Sequence, residues 1–231
     1  LSAHGATINV PGDYSTIQSA ISASVNGDVI QIAAGTYNED SLNPGNKSIT
    51  IQGSLDNEGH LLTTIDAQQN NRVFTLTNAS SGLFIKHLVI AGGSALYGGG
   101  LYCSSAGPTI FDCRFTENYA SNNGGAIYCE LGSSPILTGC EIKGNTANGQ
   151  GGGGIYSYGS LPLVTDCLIE QNTAQNGGGL YCEGGGEISN CLIIGNTSSN
   201  RGGGAYCRTL NFISPKLSGC EIRDNAANDD G

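Results

Sequence analysis

The sequence predicts an all-β fold, a parallel β-solenoid with one short α-helix near its amino end. Three observations predict it. A Gly-Gly phrase recurs five times, as Gly98 to Cys103, Gly124 to Cys129, Gly153 to Ser157, Gly178 to Cys182 and Gly203 to Cys207. Each copy is followed by a second phrase, beginning at Ile110, Leu137, Val164, Ile188 and Leu217, whose cysteines (Cys113, Cys140, Cys167, Cys191, Cys220) lie 27, 27, 24 and 29 residues apart. That spacing is the period of a stacked solenoid. Finally, paired glycines, alternating β-branched and aromatic residues and Asn-rich connectors disfavour helix and favour short strands. Two or three strands per repeat, each above its counterpart in the previous coil, satisfy their backbones coil to coil at about 4.8 Å and stack like residues into ladders.

In chain order, Thr7 to Val10 reads as a strand broken by Pro11-Gly12-Asp13. Ser15 with Gln18 forms a capping box, and Ile17, Ala20, Ile21 and Ser24 mark a short amphipathic helix ending near Asn26-Gly27. The helix is expected to cover the open end of the solenoid, whose bare strand edge would otherwise recruit other strands. Val29 to Ala33 is the first full strand, closed by Gly35-Thr36-Tyr37. Residues 1–37 are thus expected to form a cap and 38–231 the coils, in one domain, with regular repeats from about 83. Ser48 to Gly53, Leu61 to Ile65 and Val73 to Leu76 are further strands, with Ser54 to His60 a polar excursion. Ile85 to Ile90 fits the second phrase, with Leu88 in the cysteine column and His87 at the bend. No carboxylate stands at a fixed offset from His87, so a bend role is read there rather than that of a catalytic base.

Alternation assigns faces. Leu101, Ile127, Ile155, Leu180 and Ala205 point inward, and Tyr102, Tyr128, Tyr156, Tyr181 and Tyr206 point outward. Ile110, Cys113 and Phe115 and their equivalents point inward. A spacing of three between Ile110 and Cys113 requires a bend, occupied by Asp112, Gly139, Asp166, Asn190 and Gly219, residue types that tolerate left-handed backbone. The column Asn118, Asn145, Asn172, Asn196, Asn225 reads as a hydrogen-bonded asparagine ladder.

These motifs carry two resemblances. Gly124 to Ile127 and Phe115 to Asn118 resemble the paired repeat motifs of chlamydial polymorphic outer membrane proteins and of many bacterial surface β-helix proteins, although four of the five second motifs carry Ile where that family favours Phe. The likeness covers more than half the chain and implies a right-handed parallel β-helix. The opening, from Val10 through Asp28 to Ile32 and on to Gly35-Thr36-Tyr37, resembles the amino-terminal cap of pectin-lyase-like proteins. That superfamily holds lyases, hydrolases and esterases of acidic polysaccharides as well as non-enzymatic surface proteins, so the likeness implies a fold rather than a reaction.

The net charge of −10 makes nucleic acid and anionic membranes poor partners. No apolar run is long enough to span a membrane. The chain opens Leu1-Ser2-Ala3-His4 and contains no methionine; this suits the tail of a cleaved export signal or a fragment boundary. Nine cysteines in two columns, none in CxxC spacing, argue against a zinc site. Either each coil holds one disulfide, with Cys167 unpaired because Ser157 replaces its partner, or the columns are stacked buried thiols.

Secretion or surface display with a structural, adhesive or assembly role is the expected function. A carbohydrate-active enzyme acting on an extracellular polysaccharide is the alternative, and only then is calcium expected as a cofactor. Clustered carboxylates suited to uronan chemistry are not visible in the sequence. A candidate surface for an extended glycan or a partner strand is the tyrosine ladder Tyr102, Tyr128, Tyr156, Tyr181 and Tyr206, edged by Glu130, Tyr158, Glu183 and Arg208. A candidate interaction patch is Leu168, Leu192 and Ile194, apolar among charges. The sequence stops at Gly231 on the first glycine of what would be a sixth phrase. The last coil is therefore expected to meet more of its own chain or another subunit.

Overall fold

The computed structural model describes residues 5–229, so Leu1 to His4, Asp230 and Gly231, on which the export-signal and sixth-phrase readings partly rest, lie outside the described residues. Among the described residues, four sheets of nine, eight, six and six strands stack along a solenoid, the two six-stranded sheets beginning only at Phe74–Thr77 and Ser94–Tyr97. Neighbouring strands in each sheet are parallel, as in the pairings of Ile110 with Leu137 and of Tyr102 with Tyr128. One coil runs Leu101–Ser104, Thr109–Phe111, Arg114–Thr116 and Tyr119–Asn123, placing one strand in each sheet.

The fourth strand corrects the expectation of two or three per coil. The Asn-rich connector pairs with its neighbours, Tyr119 with Thr146 and Ala120 with Ala147. Its inward residues are small, and Ala120, Ala147 and Ala174 form a cluster separate from the main core. A polar connector with a single small inward residue lacks the β-branched signal of a strand, yet its backbone groups still need partners, and stacking supplies them.

The bend column behaves as its residue types require. His87, Asp112, Gly139, Asp166, Asn190 and Gly219 all have positive φ, from 48° at Asp112 to 64° at Gly139. A second left-handed column, Glu117, Gly144, Gln171, Gly195 and Asp224, precedes the asparagines and was not legible from residue type. The ladder itself is continuous. Asn145 Nδ2 donates to Asn172 Oδ1 at 3.0 Å and Asn172 Nδ2 to Asn196 Oδ1 at 3.0 Å, and each amide also donates to an earlier-coil carbonyl, Phe115 and Ile142 respectively.

The core is lined by the predicted inward residues, including Leu101, Ile110, Cys113 and Phe115. All nine cysteines are free thiols, so the columns are stacked thiols rather than one disulfide per coil, and Cys167 is not exceptional. Register explains this: Cys103 pairs with Cys129 and Cys182 with Cys207, within one sheet, while the second column lies across a filled core. The thiols of Cys113 and Cys140 donate instead to the Ile85 and Ile110 carbonyls of the preceding coils, at 3.7 and 3.6 Å.

Near the amino end, Thr7–Val10 pairs in parallel with Val29–Ile32 at the edge of the nine-stranded sheet. The helix spans Ile17–Ala23 and ends at Ser24, earlier than expected. Its N-cap is Thr16, whose side chain accepts from the Ser19 amide, so the Ser15 and Gln18 capping box does not form. The amides of Ile17 and Gln18 donate instead to the Glu39 carboxylate at 2.7 and 3.1 Å, a cap delivered from beyond the next two strands. At the other end Lys47 Nζ donates to the Ile21 and Ser22 carbonyls, where a cation complements the helix dipole. Ile17, Ala20 and Ile21 are buried against the first coil.

Candidate functional site

Parallel register puts Tyr102 over Tyr128, Tyr156, Tyr181 and Tyr206. Ring centroids along this column are 5.7, 5.2, 4.7 and 5.2 Å apart, and the first two contacts are stacked with ring planes parallel within 4°. Tyr97 adds a sixth ring, 4.8 Å from Tyr128. It was missed because it precedes the first glycine phrase; its register partner is Asn123, the residue before the second.

The rings face away from the main core, as alternation requires, but they are not an open face. Tyr128, Tyr156 and Tyr181 are only 7, 5 and 4 % exposed, which leaves no flat platform for a sugar ring. The glycine turns close over them. At Gly124, with φ of 68°, a Cβ would stand 2.5 Å from the Ile127 carbonyl oxygen and 2.9 Å from Tyr128 Cβ, so only glycine lets the turn lie there.

What reaches the surface is the rim. Glu130 accepts from the hydroxyls of both Tyr102 and Tyr128, the latter at 3.2 Å. Glu183 accepts from Tyr181 at 3.2 Å and from Arg208 at 3.5 Å, so Glu130, Glu183 and Arg208 stand at the edge of the ladder, while Tyr158 pairs in register with Glu183. The Arg72 guanidinium, unmarked in the sequence, lies 4.6 Å over the Tyr102 ring. Burial holds the hydroxyls of Tyr102, Tyr128, Tyr156 and Tyr181 above the ordinary phenol range, since the phenolate would be poorly solvated.

A second candidate lies where the Ser54 to His60 excursion folds against the bends. His60 Nδ1 sits 2.8 Å from Asp56 Oδ2, while the backbone amides of His60 and Glu58 donate to Asp56 Oδ1 at 2.8 and 2.9 Å. Those bonds, led by the His60 amide, hold Asp56 below the ordinary carboxylate range. His60 shares the lining of a 300 Å³ groove with Asp112, Arg114 and Glu141. Coil stacking also brings His87 Nε2 to 3.9 Å from Asp112 Oδ2. No carboxylate stands at a fixed local offset from His87 because its partner lies one coil away. Desolvation keeps His87 below the ordinary imidazole value.

On the eight-stranded sheet Leu168 pairs with Leu192, and Ile194 pairs with Glu170. All three residues are half-buried. They are flanked by the ion pairs Arg114 with Glu141 at 2.6 Å and Lys143 with Glu170 at 2.5 Å. Among the described residues no group of three or more His, Cys, Asp or Glu side chains is arranged to hold a metal ion, and no helix is long and apolar enough to cross a membrane.

The model of the family described as "right handed beta helix region" matches residues 54–229. The chain belongs to this right-handed β-helix family. Its parallel topology has a likeness among solved structures. That likeness is to pectate lyase Pel9A, at 14% identity and a TM-score of 0.52, covering 96% of this chain and 77% of that one. A PL6 family alginate lyase, AlyGC, in mutant form, is similar at 13% identity and a TM-score of 0.25, covering 95% of this β-helix and 53% of the lyase chain. No curated protein matches by sequence. At 14% identity the likeness to the pectate lyase concerns the fold alone.

Proposed function

We propose that this β-helix is a structural and adhesive module of a secreted or surface-displayed protein, a rigid rod whose polar rims bind an extended glycan or a partner strand. One observation carries the reading: four glutamates on the sheet faces of the regular coils are committed to neighbours within the ladders. Glu130 and Glu183 hold phenols, and Glu141 and Glu170 are ion-paired. Carboxylates held this way stabilise stacked coils and are poorly placed to exchange protons with a substrate. The burial of Ile17, Ala20 and Ile21 against the first coil supports the helix as a cap over that end.

A second reading, a carbohydrate-active enzyme, is favoured by the groove that His60, held by Asp56, lines together with Asp112, Arg114 and Glu141. A histidine oriented by a carboxylate is the arrangement of a general base. The test is a panel of polygalacturonate, alginate and neutral glycans, measured for binding and for unsaturated products, with and without calcium. Saturable binding without turnover is the expected result. Turnover abolished by His60→Ala would install the second reading, and neither binding nor turnover would overturn the adhesive one.

A further inference from the structure

We propose that the tyrosine ladder is a proton-coupled relay for electron holes, carrying a one-electron oxidation from coil to coil along the solenoid. Two features support it independently. The first is electronic contact. From Tyr102 to Tyr206 each ring lies 4.7 to 5.7 Å from the next, centroid to centroid, with Tyr97 also against Tyr128. Facing rings at such distances give a hole a path with no saturated gap.

The second is the placement of proton acceptors. A phenol that loses an electron becomes a strong acid, so its oxidation is easy only where a base takes the proton. Glu130 receives hydrogen bonds from Tyr102 and Tyr128, and Glu183 from Tyr181. Two proton stations thus stand along the stack, with the Tyr156 ring between them.

The step balances as follows. A strong one-electron oxidant, such as a ruthenium(III) polypyridyl complex or an oxidising radical, takes one electron from the Tyr102 or Tyr128 ring. The hydroxyl proton moves along its hydrogen bond to the Glu130 carboxylate, leaving a neutral tyrosyl radical beside a carboxylic acid. Transfer to the next station moves an electron from Tyr181 through the Tyr156 ring to the radical. Glu130 returns its proton to the re-formed phenol, and the Tyr181 proton passes to Glu183. An external one-electron donor ends the sequence.

The composition removes side exits. The chain contains no tryptophan and no methionine. Cys103, Cys129 and Cys182 project from the same strands into the core, away from the rings. Hydrogen bonding to neighbouring thiols and burial keep Cys129 and Cys182 protonated, so they are not thiolate reductants, while Cys207, whose thiol the Cys182 hydrogen bond holds below the usual range, stands one coil beyond Tyr181.

The test attaches a ruthenium photo-oxidant through a histidine introduced by Thr77→His, at an exposed site in register with Ser104, two residues along the strand from Tyr102. Tyr181 is replaced by 3-aminotyrosine, an easily oxidised trap with its own radical spectrum. After a flash, the aminotyrosyl signal is expected in the otherwise intact stack and should fall severalfold with Tyr156→Leu, which interrupts the rings. Glu130→Gln, which keeps the side-chain volume, should lower the yield of tyrosyl radical at the entry station. Circular dichroism confirms that each variant is folded. An undiminished signal with Tyr156→Leu, or no signal in the intact stack, overturns the relay.

Discussion

Ser157 is the one break in the first thiol column, and its replacement tests the account of the core. Its strand pairs with the coils before and after, so that its neighbours are Cys129 and Cys182. The side chain is fully buried, and its hydroxyl has no hydrogen-bond partner. A buried hydroxyl left unpaired costs about 1–3 kcal/mol relative to an apolar group of the same shape. Sulfur is larger, less polar and already accepted by the column above and below, so Ser157→Cys should stabilise the fold by about 1–2 kcal/mol. For a chain of this size that is a rise of roughly 3–6 °C in Tm. Ser157→Ala removes the hydroxyl but leaves a small void, and it should fall between wild type and Ser157→Cys. Urea titration followed by far-ultraviolet circular dichroism, under reducing conditions, reads the change as a shift in midpoint. A lower midpoint for Ser157→Cys, or a loss of stability for Ser157→Ala, would show that the hydroxyl is satisfied and the reasoning wrong.

Other expectations follow from the same columns. Asn172→Ala removes the acceptor of two hydrogen bonds from Asn145 and the donor to Ile142 and Asn196, so a loss of about 3 kcal/mol is expected in the same titration. The raised phenols of Tyr128 and Tyr156 make stability fall at alkaline pH: the unfolded chain loses their protons near about pH 10 while the folded chain holds them. Their contribution is therefore complete below about pH 10 and declines above it, which melts at stepped pH will show; Tyr128→Phe should flatten the decline. Burial pushes the Cys113 thiol up to about 12, and its hydrogen bond with Cys140 raises Cys167 to about 12 as well. A disulfide reagent at neutral pH should leave both unlabelled in the native protein and label all nine cysteines in denaturant.

The sequence by itself determined the solenoid. Glycine pairs, cysteines and asparagines repeating at one period already say that like residues stack, and the left-handed bends at Asp112, Gly139, Asp166 and Asn190 follow from which residue types tolerate that backbone. The ladder of Asn118, Asn145 and Asn172 was legible for the same reason. Tertiary structure decided what local signals cannot carry. The connector became a fourth strand because a neighbouring coil supplied its hydrogen bonds, although its one small inward residue gave no strand pattern. The first amides of the helix are met by Thr16 and Glu39 rather than by the Ser15 and Gln18 box, because the chain returns past the helix after the next two strands. The tyrosines face outward as alternation demands, yet their exposure depended on where the glycine turns of other coils came to rest. His87 acquired Asp112, and His60 the groove that Asp112, Arg114 and Glu141 line, only through stacking. In this solenoid a side chain's neighbours along the chain fix its direction, while the partners of His87, Arg114 and the asparagines stand one coil away.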